Sequence, residues 1–250
     1  MQYFLGTHQP GWLSKTQIPL FVSIKRLRGY KTLPKAKAPW GLDSGAFSEL
    51  LNHGRWTISA PHYADNVRRI NEEIGNLQWA SIQDWICSPA VLQRTGLSLK
   101  VHQTKTVDNL YKLRKLAPEI KWLPVLQGWN VKSYLTHLRM YRTRGFALEK
   151  EKLVGVGSLA NRQQSEELPE ILTALNAEGL RIHAFGLSLV GLKKVSNMIT
   201  SSDSMVWSFV ARRRRIKYGR CQERHLVCNN CLSYALSWRR QVLSQLLCAA

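Results

Sequence analysis

Ser59-Ala60-Pro61-His62-Tyr63-Ala64-Asp65-Asn66-Val67-Arg68-Arg69-Ile70-Asn71-Glu72-Glu73-Ile74, followed closely by Leu77-Gln78-Trp79-Ala80-Ser81-Ile82-Gln83-Asp84, is the stretch whose reading decides the fold. Ser59 can cap a helix and Pro61 suits its first turn. Tyr63, Val67, Ile70 and Ile74 then recur at spacings of four, three and four, one apolar face of a helix. The run 78–83 reads as a strand that ends on an acid, Asp84, and the earlier run 39–42 ends on another, Asp43. A helix between two short apolar strands predicts a crossover unit and parallel pairing.

Outward from that unit, further strands are predicted at 2–6, 122–127, 152–157, 181–187 and 203–208. Helices are predicted at 131–141, on Val131, Tyr134, Leu138 and Tyr141, and at 166–178, on Leu168, Ile171, Leu172 and Leu175. Seven or eight such units in 250 residues are the length of a TIM-like (β/α)8 barrel, with a doubly wound open sheet as the alternative α/β fold. The expected division is a barrel over 1–210, then over 211–250 a basic linker, a zinc-binding segment and a C-terminal helix packed on the barrel. The strand ends are polar in register: Asp43, Asp84, Gln127, Gly157-Ser158 and Gly186, with Asp203 opening the run 203–208. A single acid at such a place is ordinarily a cap or turn residue. Several of them converge on the C-terminal face of a parallel barrel, where barrel enzymes build their sites.

Lys+Arg number 36 against 16 Asp+Glu, a formal net charge of +20. No acid precedes Asp43, whereas Lys15, Lys25, Arg26, Arg28, Lys31, Lys35 and Lys37 do. After Asp203 the sole acid is Glu223, among Arg212, Arg213, Arg214, Arg215, Lys217, Arg220 and others. This asymmetry makes a field that attracts phosphates, so a nucleic acid is the expected partner and Arg212–Arg215 with Lys217 the expected phosphate contacts. The N-terminus shows no basic n-region and no long apolar stretch, which predicts neither signal peptide nor membrane span. Of five cysteines, four follow residue 220, a metal cluster in a reducing cytoplasm rather than a disulfide framework. Asn52-His53-Gly54 reads as a hairpin turn between Phe47 and Trp56, a DNA-facing flap.

Asp43-Ser44-Gly45-Ala46-Phe47, Gln83-Asp84, Gln127-Gly128-Trp129, Gly157-Ser158-Leu159 and Asp203, in this order, resemble the motifs of the guanine transglycosylases. Ala46, Trp129 and Ser158 stand where that family has glycine. With the short chain, Ser202-Asp203-Ser204-Met205 and the tail Cys228-Asn229-Asn230-Cys231, the resemblance is strongest to the deazapurine-in-DNA branch found in phages and bacterial modification islands. It implies Asp203 as nucleophile, Asp43 as general acid/base, and a base site containing Ser44, Phe47, Asp84, Gln127, Gly157, Ser158, Leu159 and Phe185. Retention at the sugar calls for two displacements, hence a carboxylate nucleophile and a proton carrier. Guanine needs an acceptor for N1–H and the 2-amino group, which suits Asp84. Its O6 needs donors, which suits Gln127 and the Ser158 N–H. Phe47 and Phe185 could sandwich the base or simply fill the core.

The implied activity is a pentosyltransferase exchanging guanine in DNA for a 7-deazaguanine base (preQ0-like) through a glycosyl-aspartate intermediate, in a bacterial cytoplasm or that of a phage's host. The alternatives are a tRNA-guanine transglycosylase and a non-catalytic zinc-containing nucleic-acid-binding protein. The family also carries a structural zinc near its C-terminus. Here Cys221, His225, Cys228 and Cys231 would supply four ligands for Zn2+, with Cys248 an alternative to Cys221. Cys87 is expected to be a buried or pocket-wall thiol, and His8 a plain loop histidine, with contact to the site or a phosphate as the alternative.

Overall fold

The computed structural model describes residues 1–219 and 226–247. Within them nine strands run parallel in one sheet: β1 Gln2–Thr7, β2 Leu20–Ser23, β3 Trp40–Asp43, β4 Leu77–Ser81, β5 Trp122–Leu123, β6 Val125–Leu126, β7 Val154–Val156, β8 Ile182–Ala184 and β9 Ser201–Ser204. The hydrogen-bonded order is β5-β4-β3-β2-β1-β9-β8-β7-β6. Its two ends, β5 and β6, are consecutive in the chain and separated by Pro124 alone. Proline has no N–H to give a ladder, so one strand is interrupted there, β5 pairing with β4 and β6 with β7. The sheet thus closes on itself with eight strand positions, the TIM-like barrel expected from the strand–helix alternation.

Helices alternate with the strands: α1 Ala46–His53, α2 Ala60–Ile74, α3 Pro89–Thr95, α4 Leu99–Leu116, α5 Val131–Thr143, α6 Glu167–Ala177, α7 Leu189–Val195, α8 Val206–Arg213 and α9 Leu232–Leu247. The local signals explain α2: the Ser59 hydroxyl accepts from His62 N–H at 3.4 Å, and Gly75 ends the helix at φ 72°. The apolar faces of these helices and the outer faces of the strands form one continuous core, into which α9 brings Tyr234, Ala235 and Val242. The barrel interior is a separate aromatic plug of Phe4, Phe21, Trp79 and Leu123, with Phe185 packed against it. Glycine is required beneath that plug, because a Cβ on Gly155 would lie 2.5 Å from the Phe185 ring.

Three sequence expectations are corrected. The run 203–208 is not a strand: β9 ends at Ser204, and Val206 opens α8, whose buried Trp207 and Ala211 form a helical face. Asp203 therefore stands near the end of a strand, as Asp43 does. Asn52-His53-Gly54 is no hairpin; Asn52 and His53 finish α1 and Gly54 caps it at φ 66°. An eighth strand position, β2, was absent from the sequence reading. No helix among the described residues is long and apolar enough to cross a membrane.

Candidate active site

The C-terminal ends of the strands surround a cavity of about 290 Å³. Asp43, Phe47, Asp84, Gln127, Gly157, Ser158, Leu159, Phe185 and Asp203 all line it, so residues from six strand ends meet there. Ser44 does not. It is 1% exposed and spends its hydroxyl behind the wall, donating to Asp84 Oδ1 at 3.3 Å.

Three carboxyls in one small cavity raise the question of who carries the charge. Asp43 closes β3 and is half-buried; desolvation lifts its pKa above the usual carboxylate range. Hydrogen bonds from the Gly45 N–H and Ser23 hydroxyl oppose that rise, Asp203 adds to it, and Lys25 subtracts. Asp84 is 6% exposed, and burial pushes it up to about 7 despite the bond from Gln127, with the charge of Asp43 adding to the rise. Asp203 is 5% exposed; its Oδ1 accepts the Gly186 N–H at 3.0 Å and lies 3.3 Å from His183 Nε2. Carboxyls whose environments differ in this way can divide acid/base and nucleophilic work.

The opposite wall is a fixed polar chain. Gln127 Nε2 donates to Asp84 Oδ2 at 2.5 Å, and Gln127 Oε1 accepts from the Ser158 hydroxyl at 2.6 Å. The Ser158 hydroxyl in turn accepts the Cys87 N–H at 3.1 Å. Behind Gln127, its backbone N–H donates to His137 Nδ1 at 2.8 Å and its carbonyl accepts from Gln103 at 2.7 Å. Burial holds His137 down at about 3, so the ring stays neutral, and its Nδ1 also lies 3.0 Å from the Gln127 carbonyl. Cys87 is fully buried, its thiol raised by desolvation, and plays a packing part.

Phe47 is 56% exposed at the mouth while Phe185 leans on the barrel plug, so the two rings line different depths of the cavity. Trp129 also lines it and carries the Arg162 guanidinium over its ring at 4.3 Å. His8 reaches the rim, and its pKa is lowered by burial and by the nearby charges of Arg26 and Arg212. Sequence reading missed Ser23, Gly186 as a donor, Met205 and His183. Only the strand-end position of Ser23 could have signalled it.

Arg212 and Arg213 lie in the last turn of α8, and Arg212–Arg215 and Lys217 are all exposed. None of the five makes an ion pair with a carboxylate among the described residues. Cys228 and Cys231 sit on and just after a 3-10 turn, 1% and 7% exposed, and Cys228 Sγ accepts the Tyr218 N–H at 3.2 Å. Cys221, His225 and Cys248 lie outside the described residues. Among the described residues no group of three or more His, Cys, Asp or Glu side chains comes together as a metal site.

The model of one protein family, DpdA (DeoxyPurine in DNA protein A), matches residues 1–248. No curated protein matches the chain. Among solved structures, a Sinorhizobium meliloti protein crystallised in an open-loop conformation, and provisionally called an isomerase, is similar at a TM-score of 0.40 and 8% identity. The similarity covers 81% of this chain and 50% of that one, so the chain spans half the length of that structure.

Proposed function

The chain belongs to the DpdA family, DeoxyPurine in DNA protein A, and from that premise we propose that it exchanges guanine in DNA for a 7-deazaguanine base through a glycosyl-aspartate intermediate. The observation that carries this reading is the meeting of Asp43 and Asp203 in one cavity of about 290 Å³, the low end of small-molecule sites, with a hydrogen-bonding wall beside them.

Asp203 Oδ2 attacks C1′ of the target nucleotide as the C1′–N9 bond breaks, and the electron pair leaves with the base. Asp43, its pKa raised by burial, holds a proton to give to the departing base. The incoming 7-deazaguanine surrenders a proton to Asp43 and attacks C1′ through the freed nitrogen. The C1′–Oδ2 bond breaks and its pair returns to Asp203, so the sugar keeps its configuration after two inversions. Asp84 accepts N1–H and the 2-amino group, and the Gln127–Ser158 edge faces O6. Phe47 at the mouth and Phe185 below it flank the ring.

A base inside a duplex cannot reach such a cavity, so the target nucleotide is flipped out or already single-stranded. Arg212–Arg215 and Lys217 then hold neighbouring phosphates. Zinc fits the tail: two buried thiols three residues apart, one already accepting a backbone N–H, form half of a tetrahedral sulfur/nitrogen set. Cys228 and Cys231, with Cys221 and His225 as the further donors, would hold it, and four protein ligands make such a metal structural.

The test incubates the protein with labelled 7-deazaguanine and either DNA or tRNA. Label in DNA, abolished by Asp203→Asn with DNA affinity within a few-fold of wild type, is the expected result. Label in tRNA alone would transfer the activity to RNA, and normal exchange by Asp203→Asn would remove the nucleophile.

A further inference from the structure

His183 sits at the centre of β8, fully buried inside the barrel. Phe4, Phe21, Trp79 and Phe185 wall it in, with ring centroids 5.8, 5.9, 4.8 and 4.7 Å from the imidazole. An aromatic cage is a poor home for a polar ring unless its nitrogens are served elsewhere. Both are directed at β9: Nδ1 lies 2.9 Å from Ser201 Oγ, and Nε2 lies 3.3 Å from Asp203 Oδ1. The approach to Asp203 is close but not aligned as a hydrogen bond, and Nε2 has no other partner among the described residues. Catalytic hydrogen bonds are often loose in a free enzyme and tighten when substrate arrives. Oδ1 is also the oxygen that accepts the Gly186 N–H at 3.0 Å.

We propose that His183 is a positioning residue for the nucleophile. Resting on the transglycosylase reading above, it makes the Ser201–His183–Asp203 line part of that site. Ser201 donates its O–H to Nδ1, which leaves the proton on Nε2 and aims it at Oδ1. Oδ1 is then gripped by two donors, and Oδ2 is the atom presented to C1′. The same grip acts unequally on the two displacements. In the first, Oδ2 bonds to C1′ and the carboxylate loses its charge, so the Nε2–H bond weakens. In the second, the C1′–Oδ2 bond breaks and its electron pair restores the carboxylate, so the bond strengthens as the leaving group departs. His183 therefore favours release of the sugar from the enzyme and disfavours its capture.

The test compares wild type with His183→Phe, which keeps the ring volume, and His183→Gln, which keeps a donor near Nε2. Ser201→Ala serves as a second probe that leaves the imidazole in place. Each protein is given guanine-containing DNA and labelled base; exchange rate, KM for the base and the fraction of protein covalently bound to DNA on a denaturing gel are measured. His183→Phe should lower kcat about 10- to 100-fold, the span for losing a hydrogen bond to a charged group, with KM for the base within a few-fold. Its covalent fraction should rise, and His183→Gln should recover most of the loss. Ser201→Ala should lower kcat several-fold in the same pattern, which decides the matter if His183→Phe does not fold. Wild-type rates in His183→Phe, or equal defects in the Phe and Gln variants, would overturn the inference while leaving the transglycosylase intact. A wild-type protein that forms no adduct and exchanges no base would overturn both.

Discussion

Burial raises the Asp84 pKa to about 7, and on the proposed reading its proton should act in opposite directions on folding and on base binding. Burial is the main reason its pKa stands at about 7, and the unfolded chain returns it to about 3.9. The folded state thus holds the proton more tightly. The stabilisation this brings is fully present below pH ~4 and is lost as pH rises through ~7. Between pH 5 and pH 7 the loss spans two units at about 1.36 kcal/mol each, roughly 2.7 kcal/mol, with little further change above. Asp84→Asn cannot titrate but keeps the shape and an acceptor for Gln127. Denaturant unfolding of both proteins at pH 5 and pH 8 measures the difference: the wild type should lose about 2–3 kcal/mol more than the variant, with Asp43 cancelling except for its coupling to Asp84. Free guanine should behave inversely. Its N1–H and 2-amino group need the ionised carboxyl, so affinity for wild type should rise as pH climbs through 7, and the Asn variant should show no such rise. Parallel pH profiles of stability in the two proteins, or guanine binding indifferent to pH between 6 and 8, would refute the assignment of Asp84.

Gly157→Ala should raise KM for the base about 10- to 100-fold while the protein stays folded. Its Cβ would overlap the Gln127 amide, with Gln127 Cδ only 2.8 Å away, and so pull that side chain from Asp84 and Ser158; steady-state kinetics with guanine decide it. Metal analysis should find about one zinc per chain, and Cys228→Ser should lose it and lower the melting temperature; a stable, active, metal-free wild type would exclude the site. DNA binding should weaken steeply with salt, and each single Ala variant of Arg212–Arg215 should reduce the log–log salt slope by roughly one without altering base preference; unchanged slopes in all four would remove that run from the binding face.

The barrel was legible because its alternation is written in local signals. Ser59, Pro61 and Gly75 mark the ends of α2 within a residue, and Asp43, Gln127 and Gly157 stand at or just past the ends of their strands. What failed lies in short windows whose residues suit more than one structure. Val206, Trp207 and Phe209 look like a strand across a few residues; only the continued burial of Ala211, four after Trp207, reveals the helix. Gly54 was read as a turn because a left-handed glycine closes helices and hairpins alike. β2 was missed because four residues after Pro19, in a basic segment, carry little periodicity. His183 gave no sign at all: a histidine in an apolar run is ordinarily core, and its importance lies in facing β9, a pairing no local pattern records.

The positions where the guanine transglycosylases that this chain resembles carry glycine tell more about the pocket than the motif residues it keeps. Ser158 holds φ at 59°, a left-handed conformation that costs a serine on the order of 1 kcal/mol or more and a glycine almost nothing. Its hydroxyl offsets that cost with two bonds, giving one to Gln127 Oε1 and taking one from the Cys87 N–H. Those bonds decide which way the Gln127 amide points. Its oxygen faces the Ser158 donor, so its nitrogen must face Asp84, where one N–H meets the carboxylate and the other stays available for a carbonyl such as O6. Trp129 works similarly from the next loop: its ring carries Arg162, which also bonds the Trp129 carbonyl and pairs with Glu167, tying the cavity wall to α6. Where glycine would leave the wall open and mobile, these side chains fix it. On the proposed reading, a pocket that tells guanine from other bases by the direction of one amide gains from that rigidity, and the two bonds of Ser158 offset the strain of its left-handed backbone.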